Sequence, residues 1–337
     1  MKRWKVGILT PESKYPASYD TLAQSNCELI FGKPWEDYQD YSYREDELIR
    51  WFGQCDGLIV GGRDKVPGVL IRNSPHLKVI SKSSIGVDNI DVETASSLGI
   101  LVTNAPGNYL SIAEGTIALM LAVMKKIVKL DQRTRLGKWR DFYDLPVMLK
   151  GKTIGIIGFG RIGKAVTRRL QGWDVELLAY DPYIDHEDIT ANGAIPAELN
   201  ELLARSDIIT FHLILNKETY HMMDADKFAL LKPNAIVINT ARGGVIDEKE
   251  LYEYLVSKKI AGAGLDVFEE EPPVPTNPLL KLENVVVTPH GLSITEDGRR
   301  MLIATAAEEC LTALQGGEPK HIINIAALEK WKQRFLP

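Results

Sequence analysis

Short apolar segments alternate with amphipathic segments along almost the whole chain. The apolar segments are rich in Val, Ile and Leu and lack a strict alternation of polar and apolar positions. This pattern is typical of parallel strands that are covered on both faces. The predicted strands are Val6–Leu9, Leu58–Val60, Val79–Ser81, Leu101–Thr103, Ile154–Ile157, Leu177–Tyr180, Ile208–Phe211, Ile236–Asn239, Ala261–Leu265 and Val285–Val287.

The amphipathic segments between these strands predict helices, for example over Glu45–Phe52, Arg161–Leu170 and Glu248–Ser257. An alternation of strands and helices favours a doubly wound α/β architecture. Two longer helices, Ile112–Val128 and Thr295–Leu314, are predicted to carry the chain between two domains. We therefore expect one domain over residues 1–103 and 295–337, a second over residues 104–294, and a cleft between them.

Composition narrows the function classes. A chain of 337 residues suits two domains, and a net charge of −5 gives no overall basic field for nucleic acid. Cys27, Cys55 and Cys310 are isolated, which predicts free thiols in a reducing compartment and neither disulfides nor a metal site. No apolar run approaches the ~18 residues of a membrane span, and no signal peptide is evident. We expect a cytoplasmic protein that does not bind membranes.

The motif Gly158-x-Gly160-x-x-Gly163 follows a predicted strand and opens the helix Arg161–Leu170. In this setting the first glycine permits the turn, the second admits a pyrophosphate, and the third permits close helix–strand packing. Asp181 ends the next strand and suits the two hydroxyls of an unphosphorylated ribose, which favours NAD over NADP. A glycine turn without a ligand remains an alternative, as does Asp181 as a turn residue before proline.

Three side chains or segments that suit carboxylate binding or proton exchange follow the ends of later predicted strands. Ligands of open α/β sheets bind at these strand ends. They are Arg242, the acidic segment Glu269–Glu271 and His290. Arginine grips a carboxylate with two parallel bonds, histidine exchanges a hydroxyl proton, and a carboxylate stabilises imidazolium. Each also has an ordinary interpretation: a surface ion pair, a solvated acidic face and a turn residue. Of the other histidines only His212 ends a strand of the same sheet, and we expect it to be structural.

These residues together resemble the D-isomer-specific 2-hydroxy-acid dehydrogenase family over roughly residues 50–325. The resemblance implies a Rossmann NAD-binding domain over residues 104–294 and a flavodoxin-like substrate-binding domain from the remainder. It also implies a homodimer and closure of the cleft by hinge motion. The motifs that carry it are Ser84-Ile85-Gly86-Val87-Asp88-Asn89-Ile90-Asp91, Thr103-Asn104-Ala105-Pro106-Gly107, the glycine motif, Ala241-Arg242-Gly243-Gly244, Asp266-Val267-Phe268-x-x-Glu271-Pro272 and Thr288-Pro289-His290.

The resemblance also implies roles. Arg242 would hold the substrate carboxylate, His290 would be the acid/base, and Glu271, immediately before proline, would pair with His290. The positions implied to contact NAD are Gly158, Gly160, Arg161, Ile162, Gly163, Asp181, Leu213, Thr240, Ala241, Asp266 and His290. The positions implied to contact the substrate are Ser84, Ile85, Gly86, Arg242 and His290. No metal ligand is implied.

The chain departs from the family pattern at positions that bear on the substrate. Gly61-Gly62 stands where phosphoglycerate enzymes often carry an arginine. Arg63, Lys65 and Lys82 are therefore candidates to read a distal anionic group, against the alternative that they are ordinary surface charges. Two further hypotheses stay open: an enzyme of the same fold acting on a phosphonate, phosphite or other oxyanion, and a non-enzymatic NAD(H)-sensing corepressor-like protein.

Overall fold

The structure, a computed structural model, describes residues 3–34, 43–62, 64–140 and 142–335. The strands are β1 Trp4–Ile8, β2 Cys27–Phe31, β3 Gly57–Val60, β4 Val79–Lys82, β5 Leu101–Thr103, β6 Thr153–Ile157, β7 Glu176–Tyr180, β8 Ile195–Pro196, β9 Ile208–Phe211, β10 Ile236–Asn239, β11 Gly262–Leu265 and β12 Val285–Val287. The helices are α1 Asp20–Gln24, α2 Glu45–Phe52, α3 Gly68–Arg72, α4 Val92–Ser97, α5 Tyr109–Met124, α6 Ile127–Arg135, α7 Arg161–Leu170, α8 His186–Ala191, α9 Leu199–Arg205, α10 Ala225–Phe228, α11 Glu248–Val256, α12 Glu296–Leu314 and α13 Leu328–Phe335.

The chain forms two compact units, which differ slightly from the predicted division at residue 103. Met1–Asn108 and Thr295–Pro337 make the first unit, and Tyr109–Ile294 make the second. The first contains one five-stranded parallel sheet in the order β2-β1-β3-β4-β5. This is the strand order of flavodoxin-like folds, so the predicted fold class of this unit is confirmed.

Helices cover both faces of the first sheet. Val6 and Ile8 of β1 pack with Leu314 of α12 and Trp331 of α13 on one face. On the other face β3 and β4 pack against α2, α3 and the residues that follow them. The apolar residues of the inner strands are explained by this double coverage, since β3, β4 and β5 are buried on both faces.

The second unit contains a seven-stranded parallel sheet in the order β12-β11-β10-β9-β6-β7-β8. Counted from β6, this is the Rossmann order 3-2-1-4-5-6 with one further strand beyond it. The order reverses between β6 and β9, so the carboxyl end of β6 lies at the topological switch point. The predicted Rossmann fold is confirmed, and its switch point is the end of the glycine motif's strand.

The prediction of one continuous helix over Ile112–Val128 is wrong. The helix α5 ends at Met124, and α6 begins at Ile127. Between them Lys126 has a φ of 52°, which lies in the left-handed region and interrupts the helix. The two helices differ in environment: α5 buries Leu119 and Met120 among others, whereas no described side chain of α6 is buried. Apolar residues at 127 and 128 extended the sequence pattern, although both side chains are exposed.

Candidate active site

The glycine motif forms the turn between β6 and α7. Gly158 has φ of 92°, and a Cβ there would lie 2.5 Å from the His212 carbonyl oxygen. A Cβ at Gly163 would clash with the Gly158 carbonyl oxygen. A Cβ at Gly160, in contrast, would meet no described atom within 4 Å. The fold itself therefore requires the first and third glycines, whereas the second leaves open space beside the loop.

The start of α7 faces that open space. Gly160 is the N-cap of the helix, and among the described residues no side chain caps it. The first backbone N–H groups of a helix have no intrahelical acceptor and carry the positive end of the helix dipole. Arg161 and Ile162 contribute such groups, and Arg161 is exposed. The open side of Gly160 and the uncapped helix together fit a pyrophosphate, which was the sequence-based hypothesis for this loop.

Asp181 closes the neighbouring turn. Its carboxylate accepts hydrogen bonds from the Phe159 N–H at 2.8 Å and from the Tyr183 N–H at 3.0 Å. Asp181 therefore does act as a turn residue, as the alternative interpretation held. Its two bonds connect the loop after β7 to the glycine loop. A carboxylate has further lone pairs, so accepting ribose hydroxyls as well stays a prediction.

Arg242 follows β10 in a turn that Asn239 holds. The Asn239 side chain accepts from the Ala241 N–H at 3.0 Å and donates to the Arg242 carbonyl at 2.9 Å. The half-buried Arg242 donates from Nη1 to the Ala241 carbonyl at 2.7 Å. Thr240 lies behind the turn, where its hydroxyl meets that of Thr116 at 2.9 Å. The turn places a fixed guanidinium at the carboxyl edge of the sheet.

Glu271 and His290 form a pair. His290 Nδ1 and Glu271 Oε2 are 2.7 Å apart, and the Phe268 N–H donates to Glu271 Oε1 at 3.0 Å. The Glu271 carboxylate is therefore bonded on both oxygens. His290 lies in the loop after β12 and has a φ of 50°, which is a left-handed backbone conformation. Of the three acidic residues in sequence, Glu271 is the one that the structure places against His290.

The electrostatic setting keeps Glu271 ionised. Burial by itself would raise the pKa of the Glu271 carboxyl. The hydrogen bond and charge of His290, the Phe268 N–H and the charge of Arg242 outweigh burial and hold its pKa below the usual value. The charges of Arg242 and His290 thus both act on the Glu271 carboxyl within the second unit.

Asp266 has a structural role that the sequence did not reveal. Its buried carboxylate accepts from the Thr288 hydroxyl at 2.6 Å and from the Gly291 N–H at 2.9 Å. The Leu292 N–H donates to the same carboxylate at 3.3 Å. These bonds fix the loop on both sides of His290. The contact with the cofactor that the resemblance implies for Asp266 stays a prediction.

Two other histidines of the second unit, His212 and His221, lie in different environments. Burial lowers the pKa of His212 to about 3, so this imidazole is neutral at pH 7 and unsuited to donate a proton. Leu213, next along the chain, lies against the glycine loop, since its Cδ2 is 3.0 Å from a Cβ built at Gly158. His221, for which the sequence gave no context, lies between the carboxylates of Asp247 and Glu269.

The predicted substrate loop belongs to the first unit. Ser84, Ile85 and Gly86 follow β4 and are half-buried. Asn104 donates to the Ile85 carbonyl at 2.8 Å, and the Ala105 N–H donates to the Ser84 carbonyl at 3.1 Å. The loop is therefore fixed by the residues after β5, and its binding role stays a prediction.

The candidates for a distal anion site fall in the same unit. Lys82 is buried, and its ammonium donates to the Gly61 carbonyl next to buried Asp64. Lys65 is exposed, and Arg63 lies outside the described residues.

The described part of the chain holds neither a metal cluster nor a membrane span. In residues 3–34, 43–62, 64–140 and 142–335, no group of three or more His, Cys, Asp or Glu side chains is placed to hold a metal ion. Over the same ranges, no helix is long and apolar enough to span a membrane. Cys27, Cys55 and Cys310 are buried and free, as their isolated positions predicted.

Comparison with known proteins places this geometry in a family. Residues 117–291 match the family model described as D-isomer specific 2-hydroxyacid dehydrogenase, NAD binding domain. A glyoxylate reductase of Thermofilum pendens is 39% identical over 324 residues, which cover 93% of this chain and 94% of the relative. A D-3-phosphoglycerate dehydrogenase of Archaeoglobus fulgidus is 40% identical over 292 residues, covering 86% of this chain. This chain spans only 55% of that relative's length.

A solved structure supports the assignment over both units. The TT0316 protein of Thermus thermophilus superimposes with a TM-score of 0.84 at 31% identity, covering 95% of this chain and 99% of the other. The resemblance that the sequence motifs indicated is therefore confirmed, and the chain belongs to the D-isomer-specific 2-hydroxyacid dehydrogenase family and carries its NAD-binding domain.

Proposed function

We propose that this protein is an NAD-dependent dehydrogenase that interconverts a D-2-hydroxy acid and the corresponding 2-oxo acid. The observation that carries the proposal is the 2.7 Å contact between His290 Nδ1 and Glu271 Oε2, with Arg242 close enough to lower the Glu271 pKa. An imidazole oriented by a carboxylate is an acid/base group, and a nearby guanidinium binds a carboxylate.

The cofactor would be held by the turn after β6. The open side of Gly160 and the uncapped N–H groups of Arg161 and Ile162 fit the pyrophosphate of NAD, and Asp181 disfavours a ribose phosphate by charge repulsion. When bound, NAD supplies the hydride acceptor and NADH the hydride donor.

The side chains divide the remaining work. Because Glu271 engages His290 Nδ1, the other ring nitrogen is left to exchange a proton with the substrate oxygen. The carboxylate also stabilises the imidazolium form that donates this proton when a 2-oxo acid is reduced. Arg242 would hold the substrate carboxylate through paired hydrogen bonds and so orient the carbon that reacts.

We further propose a substrate with a small, uncharged side chain, such as glyoxylate or hydroxypyruvate. The ammonium of Lys82 is buried and already bonded to the Gly61 carbonyl, which supports a structural rather than a phosphate-reading role. The glyoxylate reductase relative is matched over almost its full length, in contrast to the phosphoglycerate enzyme.

The test is NADH oxidation against glyoxylate, hydroxypyruvate, pyruvate, phenylpyruvate, 3-phosphohydroxypyruvate and a phosphonate analogue. We expect turnover of the small 2-oxo acids and a fall in kcat of about 10²–10⁴-fold in His290→Ala, the usual worth of acid/base catalysis. Tight NADH binding without turnover of any 2-oxo acid would overturn the proposal. Weight would then move to an oxyanion substrate or to an NAD(H)-sensing corepressor.

We propose that the protein is a homodimer joined through the second unit. Large apolar side chains are concentrated and exposed in the segment 136–148, and Trp139 and Phe142 are each 72% exposed. Monomeric proteins rarely expose so much apolar surface without a function. The other exposed apolar residues of the segment are Leu136, Tyr143, Leu145, Val147 and Met148.

We also propose that the protein acts in the cytoplasm, on small-molecule substrates and without nucleic acid or a membrane as partner. Its three buried free thiols support a reducing compartment. The net charge of −5 gives no overall attraction to nucleic acid.

A further inference from the structure

A short segment pairs with the residues that follow Arg242. The His221 N–H donates to the Gly244 carbonyl at 2.7 Å, and the Met223 N–H donates to the Val245 carbonyl at 3.1 Å. Met223 and Ile246 form a parallel bridge. The segment beginning at His221 is thus bound, through its backbone, to the turn that carries Arg242.

The His221 side chain extends from this segment to the acidic loop. Its Nε2 lies 3.2 Å from Glu269 Oε1, and its Nδ1 lies 3.7 Å from Asp247 Oδ2. The ring also stacks on Tyr220, with centroids 4.0 Å apart and planes inclined by 15°. The left-handed φ of 49° at His221 directs the side chain to this position. Within the described residues Nε2 is buried and makes no hydrogen bond, so the ring is held by its stacking on Tyr220 and by close packing against the two carboxylates.

Glu269 belongs to the same loop as Glu271, so a fixed position of Glu269 also restricts the position of Glu271. The Glu269 carboxylate also accepts from the Glu248 N–H at 2.8 Å, and the Glu269 N–H donates to the Glu248 carboxylate at 2.7 Å. One residue earlier, the Phe268 N–H holds Glu271 Oε1. A Cβ at Gly243 would clash with the Phe268 carbonyl carbon, so the two loop backbones are in direct contact.

We propose that His221 is a positioning residue, which fixes the Arg242 turn relative to the Glu271–His290 pair. His221 joins the two loops by its backbone at one end and its imidazole at the other. The inference rests on the proposed function, because it assigns His221 to the alignment of those three groups. Alignment of this kind matters, since displacing a catalytic group by about 1 Å can cost about 100-fold in rate.

The test uses two substitutions at His221 with different consequences. His221→Phe keeps a ring to stack on Tyr220 but removes the ring nitrogens that face the two carboxylates, and His221→Gln restores a polar group there. We expect kcat to fall about ten-fold in His221→Phe and to recover in part in His221→Gln. The Kd for NADH, measured by fluorescence, should change by less than about two-fold. His76→Phe, the same change at an exposed histidine of the other unit, is the matched control and should leave kcat unchanged.

A double-mutant cycle with Glu269→Ala tests the contact itself. If the imidazole acts through Glu269, the double variant should be no slower than the slower single variant, since both remove the same link. Full kcat in His221→Phe and Glu269→Ala, with His290→Ala inactive, would overturn the positioning role and leave the proposed function standing. Independent, additive losses would also overturn it. Parent-like turnover in His290→Ala would overturn the proposed function and, with it, this inference.

Discussion

The Glu271 carboxylate combines a lowered pKa with partial exposure. Both oxygens are engaged, one by the His290 ring and the other by the Phe268 N–H. The carboxyl is therefore ionised throughout the pH range in which a histidine changes charge. Protonation steps seen near neutrality in the reaction would then belong to groups other than Glu271.

The same pKa has a consequence for stability. Because the folded-state pKa of Glu271 lies below its usual 4.5, the ionised carboxylate stabilises the folded state above about that pH. This contribution is lost as pH falls through the lowered folded-state pKa. We expect Glu271→Gln to lower the urea midpoint near pH 6, and the difference from the parent protein to shrink towards pH 3. Glu270→Gln, at an exposed neighbour, should show neither effect. A difference that is constant with pH would contradict the assignment.

At the same scale, sequence patterns predicted the candidate residues themselves but not the contacts that hold them in place. Arg242, Glu271 and His290 follow strand ends within specific motifs, so their positions were predictable. The bonds from Asp266 to both sides of His290, and the contact of His221 with Glu269, were not. These contacts join residues on different loops, and their distances depend on tertiary packing that no local pattern records.

At the scale of elements, the turn from β6 to α7 shows which part of a motif serves the fold. Gly158 and Gly163 are in close contact with backbone atoms, so any side chain there would displace the chain. Gly160 faces open space at the uncapped start of α7. Folding and the proposed binding of the cofactor are therefore separable within six residues.

This separation gives a prediction for Gly160→Val. A Cβ at this position would meet no described atom within 4 Å, so we expect the melting temperature without ligand to change by less than about 2 °C. Because it fills the space left for the pyrophosphate, NADH affinity should fall by more than about ten-fold. Gly163→Val is the contrasting variant and should reduce stability as well. Calorimetry with and without NADH separates the two effects, and unchanged NADH affinity in Gly160→Val would refute the pyrophosphate assignment.

Most elements followed from apolar segments, and the exceptions have physical causes. The strand β2 was not predicted because it is an edge strand, with Leu29, Ile30 and neighbours only half-buried. The strand β8 has two residues and is likewise at an edge. The left-handed φ of Lys126 interrupts the expected long helix. The prediction missed this interruption because apolar periodicity does not report backbone dihedral angles.

At the scale of the whole molecule, the segment 136–148 is notable because seven of its described side chains are large, apolar and exposed. The sequence shows this segment as a loop rich in aromatic and charged residues, but it does not show that the apolar side chains are exposed. The segment follows α6, whose side chains Ile127 and Val128 are also exposed.

The proposed dimer predicts the behaviour of Trp139→Asp. A buried charge at the interface would be costly, so we expect this variant to shift from dimer to monomer in size-exclusion chromatography with light scattering. Ile325→Asp, at an exposed apolar residue of the first unit, should leave the parent mass unchanged. A parent protein that elutes as a monomer would refute the dimer directly.

The first unit is made of two distant stretches of chain, Met1–Asn108 and Thr295–Pro337, whereas the second is continuous. During synthesis β1 to β5 leave the ribosome before α12 and α13. One face of their sheet therefore stays partly uncovered until these two helices have been made. Glu12 similarly waits for Arg299, to which it bonds at 3.1 Å in the folded unit. The second unit can complete its core before synthesis ends, so the nascent chain would fold in its middle first. During that interval the apolar face around Val6 and Ile8 would be exposed and open to binding by a chaperone.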